Sequence, residues 1–470
     1  MTNWLAEVKE RQEELLTDLY RLLKIPSVRD DEKATAEAPV GPGPLAALEE
    51  FLEMAREDGF KTKQYGPWAG HIEFGQGEEL MGILGHVDVV PVGTGWKTNP
   101  FDAVIQDDRI YARGASDNKG PLAGAYNALK LLKDKGFEPS KRIRLIIGTD
   151  EESEWQCMKH YFAEAEMPDF GFSPDANFPV INGEKGNVTV ELNISTTQHG
   201  SGTAHLKTFE AGLRVNMVPQ EAQAEIEWQG DDSKIKEAYH QYLEVWGLSG
   251  EVIDTARGYL FQLTGKAAHG ALPHLGANAG TFLAAFLYQN FTFDQQSATA
   301  FVEVLGTKLH LTTDGHKVGL NIGHEVMGDL TLNVGVVSYD EEVQQILLNI
   351  RYPEGATNEW MEEQLANALE GYPLDIHWRQ DSGMIPHYVP EDDPLVKTLL
   401  GVYAEQTGLE AYGVSIGGGT YARVMPRGVA FGALFPGSED TMHQANEYIS
   451  MDDLLRATAI YAQSIYELTK

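Results

Sequence analysis

Apolar and polar positions follow two periods along this chain, and the first half switches repeatedly between them. Residues 80–90 and 142–149 are apolar runs rich in β-forming side chains and predict buried strands. Residues 120–135 and 155–165 carry apolar positions at helical spacing, and Gly136 follows the first of these where a helix-ending glycine belongs. Residues 1–23 read as one amphipathic helix rich in Glu, Lys and Arg. Strands alternating with helices predict an α/β layered unit. In such sheets functional side chains collect where strands give way to loops, which directs attention to the turns after Leu84, Thr149 and Phe172.

From about Asn187 the texture changes to strands rich in Thr, Val and Glu, such as 187–197 and 222–228, with helices between them, as far as Asp381. The remainder returns to helix and buried-strand signals, with a helix over 393–406, an apolar strand over 428–435 and a terminal helix over 452–468. At 470 residues the chain is longer than one ordinary core supports. The expected architecture is α/β with two domains. Residues 1–186 and 382–470 form a sheet domain, and residues 187–381 form a large inserted α+β domain. No short repeat or Gly/Ser linker separates them.

Composition narrows the function classes. Apolar residues make up 42% and charged residues 23%, and no run is long and apolar enough for a bilayer span. The first helix lacks the apolar centre and cleavage site of a secretory signal, so a cytoplasmic location is expected. The single cysteine, Cys157, excludes an intramolecular disulfide and is expected to be a small buried filler. Lys plus Arg total 36 against 70 for Asp plus Glu, a formal charge of -34 that repels nucleic acid and anionic membranes and attracts cations.

Five short segments carry candidate chemistry. Gly85-His86-Val87-Asp88 closes an apolar strand, where residues two apart share a face, so the Asp88 carboxylate is expected to hold the His86 imidazole. Gly114-Ala115-Ser116-Asp117 opens onto a helix that Asp117 also suits as a cap. Asp150-Glu151-Glu152 crowds three acids at a strand end, an arrangement that is costly unless cations neutralise it. Asp175 ends another strand, and His443 lies in a polar segment near the C-terminus. Each alone is compatible with ordinary surface. Together they offer two histidines, two aspartates and a glutamate, the donor mix that Zn²⁺ prefers. The expected arrangement has His86 and Asp175 on one divalent ion, Glu152 and His443 on a second, and Asp117 shared.

These motifs, in this order, resemble the M20 family of metallopeptidases, and within it the bacterial dipeptidase branch of the PepV type, related to carnosinases. The resemblance spans nearly the whole chain. It implies a zinc-exopeptidase-like catalytic domain with an inserted lid, two divalent ions (Zn²⁺, with Mn²⁺ or Co²⁺ as alternatives) and a small peptide as substrate. Glu151 is then the general base acting on a water bridged by the ions, with Glu152 as a ligand and Asp88 in the catalytic set. His269, in Gly265-Lys266-Ala267-Ala268-His269-Gly270, resembles the lid histidine and is the expected oxyanion donor. Asn216 and Arg351 resemble lid positions that hold substrate, Arg351 being suited to a terminal carboxylate.

Gly418, Gly419 and Thr420 lie in a glycine run whose backbone amides suit the same carboxylate, and the absence of a following Lys-Ser or Lys-Thr excludes a Walker loop. The insertion is nearly twice the length usual in the family, where lids commonly mediate dimers, so a monomer with His269 acting in its own chain is expected. The implied activity is hydrolysis of dipeptides with a free N-terminus, including the β-Ala-His type. An N-acyl-amino-acid deacylase or carboxypeptidase of the same family, and a catalytically silent metal-binding scaffold, are the alternatives.

Overall fold

The computed structural model describes residues 2–228 and 232–470. The chain divides into two compact units. The first comprises Met1–Gly183, Tyr388–Val414 and Gly419–Lys470; the second comprises Glu184–His387 and Ser415–Gly418.

Six strands of the first unit's sheet lie in the order Lys61–Tyr65, Ala69–Phe74, Arg142–Gly148, Leu80–His86, Phe170–Ser173, Gly428–Ala430. The last four are mutually parallel, with His86 opposite Gly148, Ile83 opposite Phe172 and Ala430 opposite Ser173. Parallel strands are covered on both faces, which explains why Leu80–His86 is buried throughout. Side chains alternate between the two covers. Met81, Ile83, Ile143, Leu145 and Ile147 face a large core shared with the helices Lys119–Asp134 and Met451–Thr469. Leu84 and Ile146 face a smaller one with Cys157, Tyr161 and Tyr421. The result is an α/β layered domain whose central strands all end on one edge.

The second unit is α+β. Its eight-stranded sheet runs Ser249–Asp254, Gly258–Thr264, Glu221–Glu227, His205–Ala211, Thr331–Tyr339, Gln344–Tyr352, Gly186–Ile194, Leu374–Met384. All these pairings are antiparallel. Glu221–Glu227 shows the alternating burial of a strand with one covered face. The covering layer includes the helices Ala279–Asn290 and Gln296–Glu303, and this unit has its own apolar core.

Several elements differ from the sequence pattern. The first helix is two, Trp4–Glu10 and Gln12–Leu23, broken at Arg11, whose amide donates to Val8 O. The strand predicted over 80–90 ends at His86. Beyond it Val87 N–H donates to Gly148 O, and Val89 leaves the ladder to bridge Val28. The strand predicted over 428–435 is two short pieces, Gly428–Ala430 and Ala433–Leu434. Gly136 terminates its helix as expected: at φ 73 it lets its own amide reach Lys133 O and that of Phe137 reach Leu132 O. Among the described residues no helix is long and apolar enough to cross a membrane.

Gly120 holds the turn that precedes the helix Lys119–Asp134 tight, since a Cβ there would lie 1.9 Å from Ala115 O. Gly120→Ala is expected to destabilise by about 1–3 kcal/mol in urea unfolding. Gly401→Ala, in the helix Pro394–Thr407 with open space around the new methyl, is expected to stabilise by about 0.5–1 kcal/mol. Equal midpoints for the two variants would refute the packing argument.

Candidate metal centre

Parallel strand ends place the candidate residues side by side. His86, the last residue of its strand, is fully buried. Its Nδ1–H donates to the main-chain oxygen of Asp88 at 2.9 Å, which directs Nε2 toward Asp117 Oδ1 at 3.1 Å and Asp175 Oδ2 at 3.5 Å. The expectation that the Asp88 carboxylate holds the imidazole is met in part: its Oδ1 lies 3.5 Å from His86 Nδ1, farther off than the main-chain oxygen that the ring meets first. Because the strand stops at His86, the two-residue alternation no longer applies at Asp88. Its carboxylate turns to the next strand end, where Oδ1 accepts from Glu151 N at 3.1 Å and Oδ2 from Glu152 N at 3.0 Å. Asp88 thus holds His86 mainly through its backbone oxygen, with its carboxylate beside the ring, and orients the Glu151-Glu152 pair through its side chain.

Asp117 lies between two histidines. Its Oδ1 faces His86, while its Oδ2 is 2.9 Å from His443 Nε2. His443 Nε2 also lies 3.2 Å from Glu152 Oε2. Asp117 therefore does not serve as a helix cap; Asn118 occupies that position, without a side-chain cap bond. Asn118 instead accepts from His86 N at 3.3 Å and donates to Pro174 O at 2.6 Å and Asp175 Oδ1 at 3.0 Å. The sequence pattern singles out neither Asn118 nor Glu447, a buried carboxylate behind the Asp117 loop. A lone polar residue has no period to betray it, and only its nearness to His443 or Asp117 along the chain offers a hint.

Ligand-type atoms of His86, Asp117 and Glu152 lie within 4.8 Å of one another, and so do those of His86, Glu151 and Asp175. The electrostatics suit cations. Burial favours the neutral form of Glu151, and Asp175, Glu152 and Asp117 add to it, lifting its pKa well above the usual carboxylate range. Burial likewise pushes Glu152 up to about 7 against the opposing pull of His443. Burial would also raise Asp117, but the two imidazoles outweigh it and hold it far down. Hydrogen bonds to Asp117 and Glu152 lift His443 to about 10.

A proton held on His443 in this setting is one that a divalent ion would displace. Glu152 Oε1 is buried with no hydrogen-bond partner, the state of a carboxylate oxygen shaped for a cation. Donor chemistry and this orphaned oxygen both fit metal ions. Cys157 is buried, with its thiol 2.8 Å from the Tyr421 hydroxyl and its pKa pushed up to about 12 by burial, as suits a filler.

The remaining candidates belong to the second unit, except Gly419 and Thr420. Segments 214–218 and 266–270 run side by side: Gly270 N donates to Asn216 O, Val218 N to Ala268 O, and Met217 bridges His269. Asn216 and His269 are therefore neighbours. His269 Nδ1 accepts from Ala271 N at 3.2 Å, which puts the neutral ring's proton on Nε2. Partial burial and the charge of Arg351 lower the pKa of His269 and so favour that neutral form. Arg351 is buried and donates to Asn349 Oδ1 at 3.0 Å and Gly417 O at 2.7 Å. Gly418 belongs to the segment that groups with the second unit, and Thr420 accepts from Ala422 N at 3.1 Å to begin a short helical turn.

A Bacillus subtilis (strain 168) protein provisionally named dipeptidase YtjP is 44% identical over 470 residues, covering 100% of both chains. Among solved structures, human carnosine dipeptidase 1 superposes with a TM-score of 0.55 at 15% identity, covering 99% of this chain and 98% of that one. The dipeptidase Dug1p of Saccharomyces cerevisiae gives the same TM-score of 0.55, again at 15% identity and with 99% and 98% covered. At such identities these structures establish a shared fold. Residues 82–467 match the model of peptidase family M20/M25/M40, and with a relative this similar over its full length, the chain belongs to that family.

Proposed function

We propose that this protein is a metal-dependent dipeptidase that hydrolyses dipeptides with a free N-terminus, β-Ala-His types included. The observation that carries the proposal is the Asp117 carboxylate set between two imidazoles, one oxygen toward His86 and the other toward His443. His86 and Asp175 would hold one divalent ion, His443 and Glu152 the second, and Asp117 would span both. Zn²⁺ suits these donors best, and Mn²⁺ or Co²⁺ accept them too. When bound, such ions polarise the scissile carbonyl and make water more acidic.

The chain's own groups supply the rest. Glu151 takes a proton from the attacking water on a carboxylate oxygen and returns it to the leaving amine. Asp88 holds the Glu151 backbone for that exchange. His269 donates its Nε2–H to the developing oxyanion, and Asn216 assists in holding the substrate. Arg351, with the backbone of Gly418, Gly419 and Thr420, receives the terminal carboxylate of the peptide. The names borne by the B. subtilis relative and by the two structural neighbours support the dipeptide reading. A cytoplasmic location is part of this proposal, and the single cysteine, which leaves no intramolecular disulfide to form, fits a reducing compartment.

Three measurements test this reading. Glu151→Gln is expected to keep its metal content and lose about 10²- to 10⁴-fold in kcat; a loss under about tenfold would remove Glu151 as the base. Across a panel of free and N-acylated di- and tripeptides, only free dipeptides are expected to be cleaved efficiently. Preference for N-acyl substrates would favour the deacylase reading, and inertness of the metal-replete protein toward every substrate would favour the scaffold. Because His269 is proposed to act within its own chain, light scattering is expected to return the mass of a monomer, and a stable dimer would overturn that point.

A further inference from the structure

The proposed centre depends on Asp117 pointing one oxygen at each histidine, and the structure offers a specific device for that orientation. Glu447 is fully buried. Its Oε1 accepts from Ser116 N at 2.9 Å, Asp117 N at 3.0 Å and Gly114 N at 3.1 Å, while its Oε2 receives Arg113 Nη1 at 2.7 Å. Arg113 Nη1 also donates to Gln444 O at 3.2 Å, next to His443. The main chain adds a further tie, from Ala112 N to Glu447 O at 3.1 Å. One carboxylate therefore gathers the amides of the loop that carries Asp117 and, through Arg113, fastens that loop to the segment that carries His443.

We infer that Glu447 is a positioning residue for the metal pair: its anionic side chain sets the backbone of Asp117 and its distance from His443, and so tunes ion affinity without touching the ions. The inference rests on the two-ion reading above. Charge-assisted bonds from several amides are strong and directional, and they hold only while the acceptor is a carboxylate. A glutamine in its place turns an NH₂ group toward donors on at least one side. Partners of this kind behind metal ligands commonly govern affinity by about 10- to 100-fold.

The test titrates metal-free protein with Zn²⁺ against a chromophoric chelator and follows urea unfolding of the same samples. Glu447→Gln is expected to weaken Zn²⁺ binding by about 10- to 100-fold. Asp18→Asn serves as the control: Asp18 is a buried carboxylate of the same unit, 2.9 Å from Lys130 and absent from both ligand groups. It is expected to lower unfolding stability while leaving Zn²⁺ affinity at the wild-type value. Glu447→Asp keeps the charge at shorter reach and is expected to recover part of the affinity. Should Glu447→Gln fail to fold, Glu447→Asp decides, since affinity equal to wild type would overturn the inference and reduced affinity would support it. Zn²⁺ bound equally by wild type and Glu447→Gln overturns the inference alone, whereas a wild-type protein that takes up no Zn²⁺ removes the two-ion reading and this inference with it.

Discussion

Asp117 is the point at which the candidate centre gathers or fails, because a carboxylate can face two cations at once only if both its oxygens are directed by something other than the cations. Around it stand Asp175, Glu151 and Glu152, four acids in all against two imidazoles. In water such crowding would cost little; in a buried setting it is tolerable only with protons or metal ions to offset it. The same charges that make the ion-free arrangement unfavourable make it attractive to divalent ions. Loading the centre and stabilising the sheet edge are thus one event, since an ion that binds the folded protein alone draws the equilibrium toward it.

Crowded acids also need rigid attachment, and the fold supplies it with buried carboxylates aimed at backbone amides. Asp88 takes the amides of Glu151 and Glu152, and Glu447 takes those of Gly114, Ser116 and Asp117. Asn118 links the His86 backbone to Asp175. Each anchor joins segments that are distant in the chain. Side chains fixed at the ends of parallel strands inherit the precision of the sheet register, and the anchors extend that precision into the loops.

How much of this is legible in the sequence follows from the range of each interaction. Strand and helix periods expose the layered sheet, and short motifs at strand ends and in polar loops expose His86, Asp117, Glu151, Glu152, Asp175 and His443, because both are local signals. The geometry expected of Asp88 holds only in part, its carboxylate lying 3.5 Å from His86 Nδ1 while it accepts from the amides of Glu151 and Glu152, because strand alternation extends only as far as the ladder, which ends two residues earlier. Glu447 stays hidden because its partners lie more than 300 positions earlier in the chain, a relation without a local trace. The break at Arg11 is hidden for the opposite reason: the amphipathic pattern continues across it while the hydrogen-bond ladder does not.

The second unit shows a different distribution of charge. Where the first unit collects acids, the second offers donors: an Nε2–H fixed by the Ala271 amide, and a buried guanidinium held by Asn349 and the Gly417 carbonyl. Partial burial, together with the guanidinium charge, favours neutral His269, so that the ring presents a proton without carrying a charge. A neutral donor suits an oxyanion that forms and collapses within each turnover, because it stabilises the transient charge without binding the carboxylate product as tightly as a full positive charge would. Arg351, with its permanent charge, suits instead the carboxylate that is present throughout the reaction. In the proposed reading, transient and permanent negative charge would thereby be met by different groups, with the charge of Arg351 adding to burial in favouring the neutral imidazole.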